Sequence, residues 1–101
     1  MNYKVEWTLR ALAKFDEIFD YIASESKTNA KSLALEILEQ EENLKTIPKL
    51  GRQVPYQDDP SFREIIIGNY SLFYFVFGDE IQIRSLYRSS ELFSYNNIKL
   101  K

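Results

Sequence analysis

At 101 residues, with 45% hydrophobic and 28% charged side chains, the chain is the size of one globular domain, residues 1–101. It contains no cysteine and no histidine, which excludes disulfides and thiolate metal sites and removes the commonest general base and metal ligand. The net charge of −2 divides into −3 over residues 1–45 and +1 over residues 46–101, less basic than nucleic-acid binders usually are.

No metal and no cofactor is expected, and any catalysis must use Tyr, Lys, Arg, a carboxylate or a hydroxyl. The opening stretch "MNYKVEWTLR" places Lys4, Glu6 and Arg10 where a signal peptide would be apolar. No apolar run approaches the ~20 residues of a membrane span. A cytoplasmic protein without a membrane partner is expected.

In chain order, "YKVEW" alternates, with Tyr3, Val5 and Trp7 on one side and Lys4 and Glu6 on the other, which predicts a strand. Thr8 is placed to cap a helix running to about Ser24, with Leu12, Phe15, Ile18, Phe19 and Ile22 on one face. After the polar break 24–29, Asn29 is the expected cap of a second helix. Ala30, Leu33, Ala34, Ile37, Leu38 and Leu44 form its apolar stripe, and Glu36, Glu39, Glu41 and Glu42 face water. Ile47-Pro48 ends it. Residues 48–61 hold all three prolines and predict a loop or an irregular crossing.

Gly68-Asn69 and Gly78-Asp79 then punctuate three strand-like runs, about 62–67, 70–77 and 80–88. Glycine first in a two-residue loop suits a type II′ hairpin turn, so a three-stranded antiparallel meander is expected. Tight turns fix the register. One face then collects Ile65, Ile67, Leu72, Tyr74, Val76, Ile81 and Ile83, the seat for the helices. The other collects Phe62, Ile66, Phe73, Phe75, Phe77 and Leu86, with Glu64, Ser71, Glu80, Gln82 and Arg84 among them. This second face is too apolar to stand in water, so either the segment "LFSYNNIKL" (92–100) or a partner chain covers it. In this register Ser71 lies between Ile66 and Leu86, and Glu64 can reach Arg84 across Phe73. Tyr21 and Tyr70 fit helix and sheet packing. Arg52 is read either as a partner contact or as a donor to loop carbonyls.

Strand, two helices, Pro/Gly loop and meander together resemble the RelE/ParE superfamily of type II toxins. "ALAKFDEIFDYIASES" (11–26) is similar to the family's first helix. "NLKTIPKLGRQVP" (43–55) resembles its Leu-x-x-x-Pro-x-x-Gly-Arg passage, and "REIIIGNYSLFYFVFGDEIQIRSLYR" (63–88) resembles its three strands. The Gly-Arg passage and the Arg-Glu strand are more similar to the ParE branch. The resemblance implies an α+β fold and a plasmid-stabilising, growth-inhibiting toxin neutralised by a cognate antitoxin whose C-terminal segment wraps it. ParE-like members poison DNA gyrase and are not nucleases, whereas RelE-like members cleave mRNA on the ribosome. The Arg that often follows the strand Tyr falls at Ser71 here, and the position where some nucleases carry His falls at Tyr87.

ParE-like protein binding is therefore the leading expectation, with no residue assigned as catalytic. The nuclease alternative rests on Arg63, Arg88 and Tyr95, with Arg84 as a further phosphate-binding group. A degenerate member that keeps only antitoxin binding is a third reading. Phe73, Phe75, Phe77, Arg84, Leu86 and Arg88 are the expected antitoxin contacts. A homodimer is also expected, through the phenylalanine face or through the amphipathic helices.

Overall fold

The computed structural model describes residues 2–55 and 57–91. Strand β1 (Lys4–Trp7) leads into helix α1 (Leu9–Glu25) and helix α2 (Lys27–Leu44). A two-residue strand β2 (Arg52–Gln53) follows, then β3 (Phe62–Ile67), β4 (Tyr70–Phe77) and β5 (Glu80–Arg88), and a 3₁₀ turn at Ser89–Glu91.

Thr8 caps α1 as expected, its hydroxyl accepting from the Ala11 amide at 3.1 Å. The second cap is Ser26 rather than Asn29. Ser26 closes α1 by donating its backbone N–H to the Ile22 carbonyl and opens α2 by accepting the Asn29 amide on its side chain. One residue thus serves both helices, and the break shrinks to a corner.

The three meander strands have the expected boundaries, but they belong to a five-stranded sheet of order β1-β5-β4-β3-β2. β1 runs parallel to β5, with Lys4 beside Glu80 and Trp7 beside Ile83, and β2 adds an antiparallel edge to β3. Gly68 and Gly78, with φ of 59° and 57°, supply the left-handed backbone that primed hairpin turns need at their first loop position.

Register between β3 and β4 is as the turns dictate, Ile67 opposite Tyr70 and Ile65 opposite Leu72. Between β4 and β5 it slips at Phe73/Tyr74: Tyr74 opposes Ile83, but Phe73 opposes Ser85. Arg84 is the extra residue of this bulge. Beyond it every side chain of β5 changes face relative to the expectation. Leu86 pairs with Leu72 in the helix-facing core, and Tyr87 takes the place beside Ser71. The predicted Ile66–Ser71–Leu86 row is therefore Ile66–Ser71–Tyr87. Glu64 lies in a row with Phe73 and Ser85, and its carboxylate pairs with Arg52, not Arg84, at 2.9 Å.

The main core lies between helices and sheet: Ala11, Ile18, Leu33, Ile37 and Leu44 meet Ile65, Ile67, Leu72, Tyr74, Ile81, Ile83 and Leu86. A smaller core on the opposite sheet face joins Phe62, Phe73 and Phe75 to Val54 from the long loop, with Tyr87 against it. No helix among the described residues is long and apolar enough to cross a membrane.

Candidate functional site: an apolar groove on the helical hairpin

Both helices carry more apolar side chains than the sheet can cover. On α1 the spacing Leu9, Leu12, Phe15, Phe19 and Ala23 sets a second stripe beside the core-facing Ala11 and Ile18. On α2 Ala34, Leu35 and Leu38 do the same beside Ala30, Leu33 and Ile37. Where the stripes meet, a groove of about 480 Å³ opens, lined by Trp7, Leu12, Phe15, Phe19, Ala34, Ile37 and Leu38, with Asp16 in its wall. It continues toward the hairpin corner along Phe19, Ala23, Ala34 and Leu35, where Lys27 and Lys31 frame it. Leu9, Leu12, Leu35 and Leu38 are exposed. Solvent contact for several leucines on one face marks an interaction surface. The floor is rigid: the Trp7 indole donates to Glu41 Oε1 at 2.6 Å and meets the Phe15 ring edge-to-face at 5.9 Å.

The phenylalanine face is organised differently. Phe62 and Phe73 are fully buried and Phe75 nearly so, their rings 4.7 to 5.8 Å from Phe62. Phe77 stacks on Phe75 at 5.2 Å and is half exposed, with the Arg84 guanidinium 5.2 Å from the Phe75 ring. Of the expected antitoxin contacts, Phe77, Arg84 and Arg88 are accessible, Phe73 and Phe75 are core, and Leu86 faces the helices. The segment 92–100, one of the two expected covers of this face, lies outside the described residues.

Among the described residues, the candidate nuclease side chains Arg63, Arg84 and Arg88 do not converge. Arg63 donates from Nη1 to the Gly51 carbonyl at 2.8 Å and so holds the long loop. Arg84 donates to Gln82 at 3.0 Å. Arg88 lies 5.1 Å from the Tyr21 ring at the far flank of α1. Tyr95 lies outside the described residues. Ser71 is buried, and Tyr87 accepts from Arg10 at 2.6 Å with Lys14 5.5 Å from its ring. Lys14 in turn pairs with Glu91 at 3.4 Å. Among the described residues no group of His, Cys, Asp or Glu could hold a metal ion.

Leu12 and Leu38, expected in the apolar stripes, are exposed, and so are Leu9 and Leu35, which neither stripe includes. The signal was present in α2, whose apolar positions 30, 33, 34, 35, 37 and 38 span an arc wider than one packed face requires.

Among solved structures, the chain is similar to one from the chromosomal ParDE TA system of P. aeruginosa, 28% identical, with a TM-score of 0.67, covering 85% of this chain and 95% of that one. The fold is shared with a chain of the toxin-antitoxin complex RelBE2 from Mycobacterium tuberculosis, 14% identical, TM-score 0.62, covering 87% and 99%. It is shared too with the conserved hypothetical protein HP0894 from Helicobacter pylori, 21% identical, TM-score 0.60, covering 90% and 99%. No curated protein matches the sequence. A family model described as the ParE toxin of the type II toxin-antitoxin system parDE matches residues 5–93, and the chain therefore belongs to the ParE toxin family.

Proposed function

We propose that this toxin acts by binding a protein target of the DNA gyrase type, rather than by cleaving RNA, in the cytoplasm. The observation that supports this reading is the dispersal of its cations. Phosphodiester cleavage requires several donors aimed at one developing charge. Arg63 is committed to the Gly51 carbonyl, Arg84 to Gln82 and the Phe75 ring, and Arg88 to the Tyr21 ring. Ser71 stands buried where the superfamily's frequent arginine after the strand Tyr would fall.

A cognate antitoxin neutralises the toxin by seating an amphipathic helix in the hairpin groove, its apolar side chains among Leu12, Phe15, Phe19 and Leu38. Phe77 and Arg84 offer a second contact region for an acidic, apolar continuation of that segment, and Arg88, beside Tyr21 at the other end of β4, stands apart from it. Desolvated apolar anchors typically cost ~2 kcal/mol or more when lost, whereas a rim charge acts more on association rate and salt dependence.

Two measurements test these statements separately. Induced expression is expected to arrest growth with DNA damage while bulk mRNA stays intact, and the purified chain is expected to inhibit gyrase supercoiling. Rapid transcript cleavage that Arg88→Ala or Tyr95→Phe abolishes would establish the nuclease instead. For the antitoxin, calorimetry is expected to show Leu38→Glu weakening binding far more than Arg84→Ala. The reverse order would move the anchor site to the sheet.

A further inference from the structure

The charges on α2 run against its own dipole. Lys27 and Lys31 stand in its first turns, where the exposed amides already concentrate positive charge, and Glu39, Glu41 and Glu42 stand near the carbonyl end. No acidic residue occupies the first turn and no basic one the last. Among the described residues neither Lys27 nor Lys31 has an ion-pair partner. Among the described residues Glu42 pairs with Lys45, the residue that caps the helix's end. Such an arrangement weakens an isolated helix, and an antiparallel neighbour carrying the same sequence corrects it.

The groove side of α2 is built for that neighbour. Lys31, Leu35, Leu38 and Glu42 follow one another at four, three and four residues, so they lie along one line of the helix over about 16 Å. The line is basic, apolar, apolar, acidic. Turned end for end about a point midway between Leu35 and Leu38, it places Lys31 opposite Glu42, Leu35 opposite Leu38, and Leu38 opposite Leu35. Only a self-complementary patch has this property, and it is what a two-fold interface demands. The α1 wall of the groove flanks the line, and its Leu12 and Phe15 supply further apolar cover.

We propose that the free chain forms a two-fold homodimer in which α2 of one copy lies antiparallel to α2 of the other along the hairpin groove. Each Lys31–Glu42 contact occurs twice, so one substitution alters two contacts at once. This inference stands on the α2 line and does not depend on which target the toxin binds.

Sedimentation equilibrium of the full chain over a wide concentration range is the test, with Trp7 emission as a second readout because the single tryptophan lines the groove. A monomer–dimer equilibrium is expected. Lys31→Glu and Glu42→Lys should each raise the dimer Kd about tenfold or more by placing like charges together. Mixing the two variants should restore affinity as a heterodimer, because both contacts are again of opposite sign, and the double variant should recover as a homodimer. Leu38→Glu, at an exposed position that leaves the fold intact by circular dichroism, should abolish association. A monomer at every concentration would overturn the inference and leave the groove to a different chain. A dimer indifferent to the charge exchange and to Leu38→Glu, but broken by Phe77→Glu, would also overturn it and place association on the sheet.

Discussion

Tyr74 fastens the long loop from inside the protein. Its ring is fully buried, its hydroxyl donates to the Pro48 carbonyl at 2.9 Å, and the same oxygen accepts the Gly51 amide at 2.8 Å. Burial raises the phenol above its ordinary 10.0, against smaller opposing pulls from the Gly51 hydrogen bond and the Arg63 charge. The unfolded chain consequently releases this proton at lower pH than the folded one. The stability Tyr74 contributes is complete below about pH 10 and is lost as pH rises through the higher folded value. Tyr74→Phe is expected to cost about 1–3 kcal/mol at neutral pH, because two backbone groups lose a partner, and to flatten part of the alkaline decline. Urea titrations at pH 7 and through the alkaline range check both. Gly51→Ala should be at least as damaging. An added Cβ there would meet the Glu64 carbonyl oxygen at 2.6 Å and the Tyr74 ring at 2.9 Å, and neither can yield.

Among the elements, β5 decides how the two sheet faces are shared. With Leu86 buried against the helices, Leu86→Ala is expected to cost about 2–5 kcal/mol, the range of a cavity in a packed core. Ile66→Ala, at an exposed β3 position, should stay within about 0.5 kcal/mol. A regular register would put both residues on the same face, so thermal denaturation of the pair reads out the bulge. The alternation of β3 and β4 and the two Gly corners were legible, and so were the strand limits. The bulge was legible too, though it was passed over: the apolar positions Ile81, Ile83 and Leu86 step by two and then by three. Other features were not in the pattern. Alternation marks "KVEW" as a strand but does not say which strand it will lie beside, because that choice is made by the helical hairpin returning it to the sheet's far edge. Ser26 and Asn29 are both good caps, and only the tight corner between the helices selects the first.

At the scale of the molecule, apolar surface is covered unevenly. The sheet's second face is largely filled by Val54, Phe62, Phe73 and Phe75, with Phe77 half exposed, while the hairpin keeps Leu9, Leu12, Leu35 and Leu38 in water. Periodicity in the sequence recorded how much of each helix is apolar but not how much a five-stranded sheet can cover, so the groove was the least legible part of the site. If an antitoxin helix and a second copy use the same groove, they exclude one another. Adding the antitoxin segment to the free chain is expected to replace dimers by complexes holding one toxin per segment. The Trp7 emission should change in step with the sedimentation profile. Persistence of two toxins per complex through the α2 line would show that the two surfaces are separate.

The pairing of β1 with β5 also orders events in time. Lys4 finds its neighbour in Glu80, 76 residues later, and among the described residues β1 has no other strand beside it. At a synthesis rate of roughly 5–20 residues per second, the first strand made waits roughly 4–15 s for the last. Until then the helical hairpin has no completed sheet to rest on. A nascent or prematurely stopped chain lacking β5 leaves Val5 and Trp7 without their seat, and the toxin's fold closes only once β5 has been made.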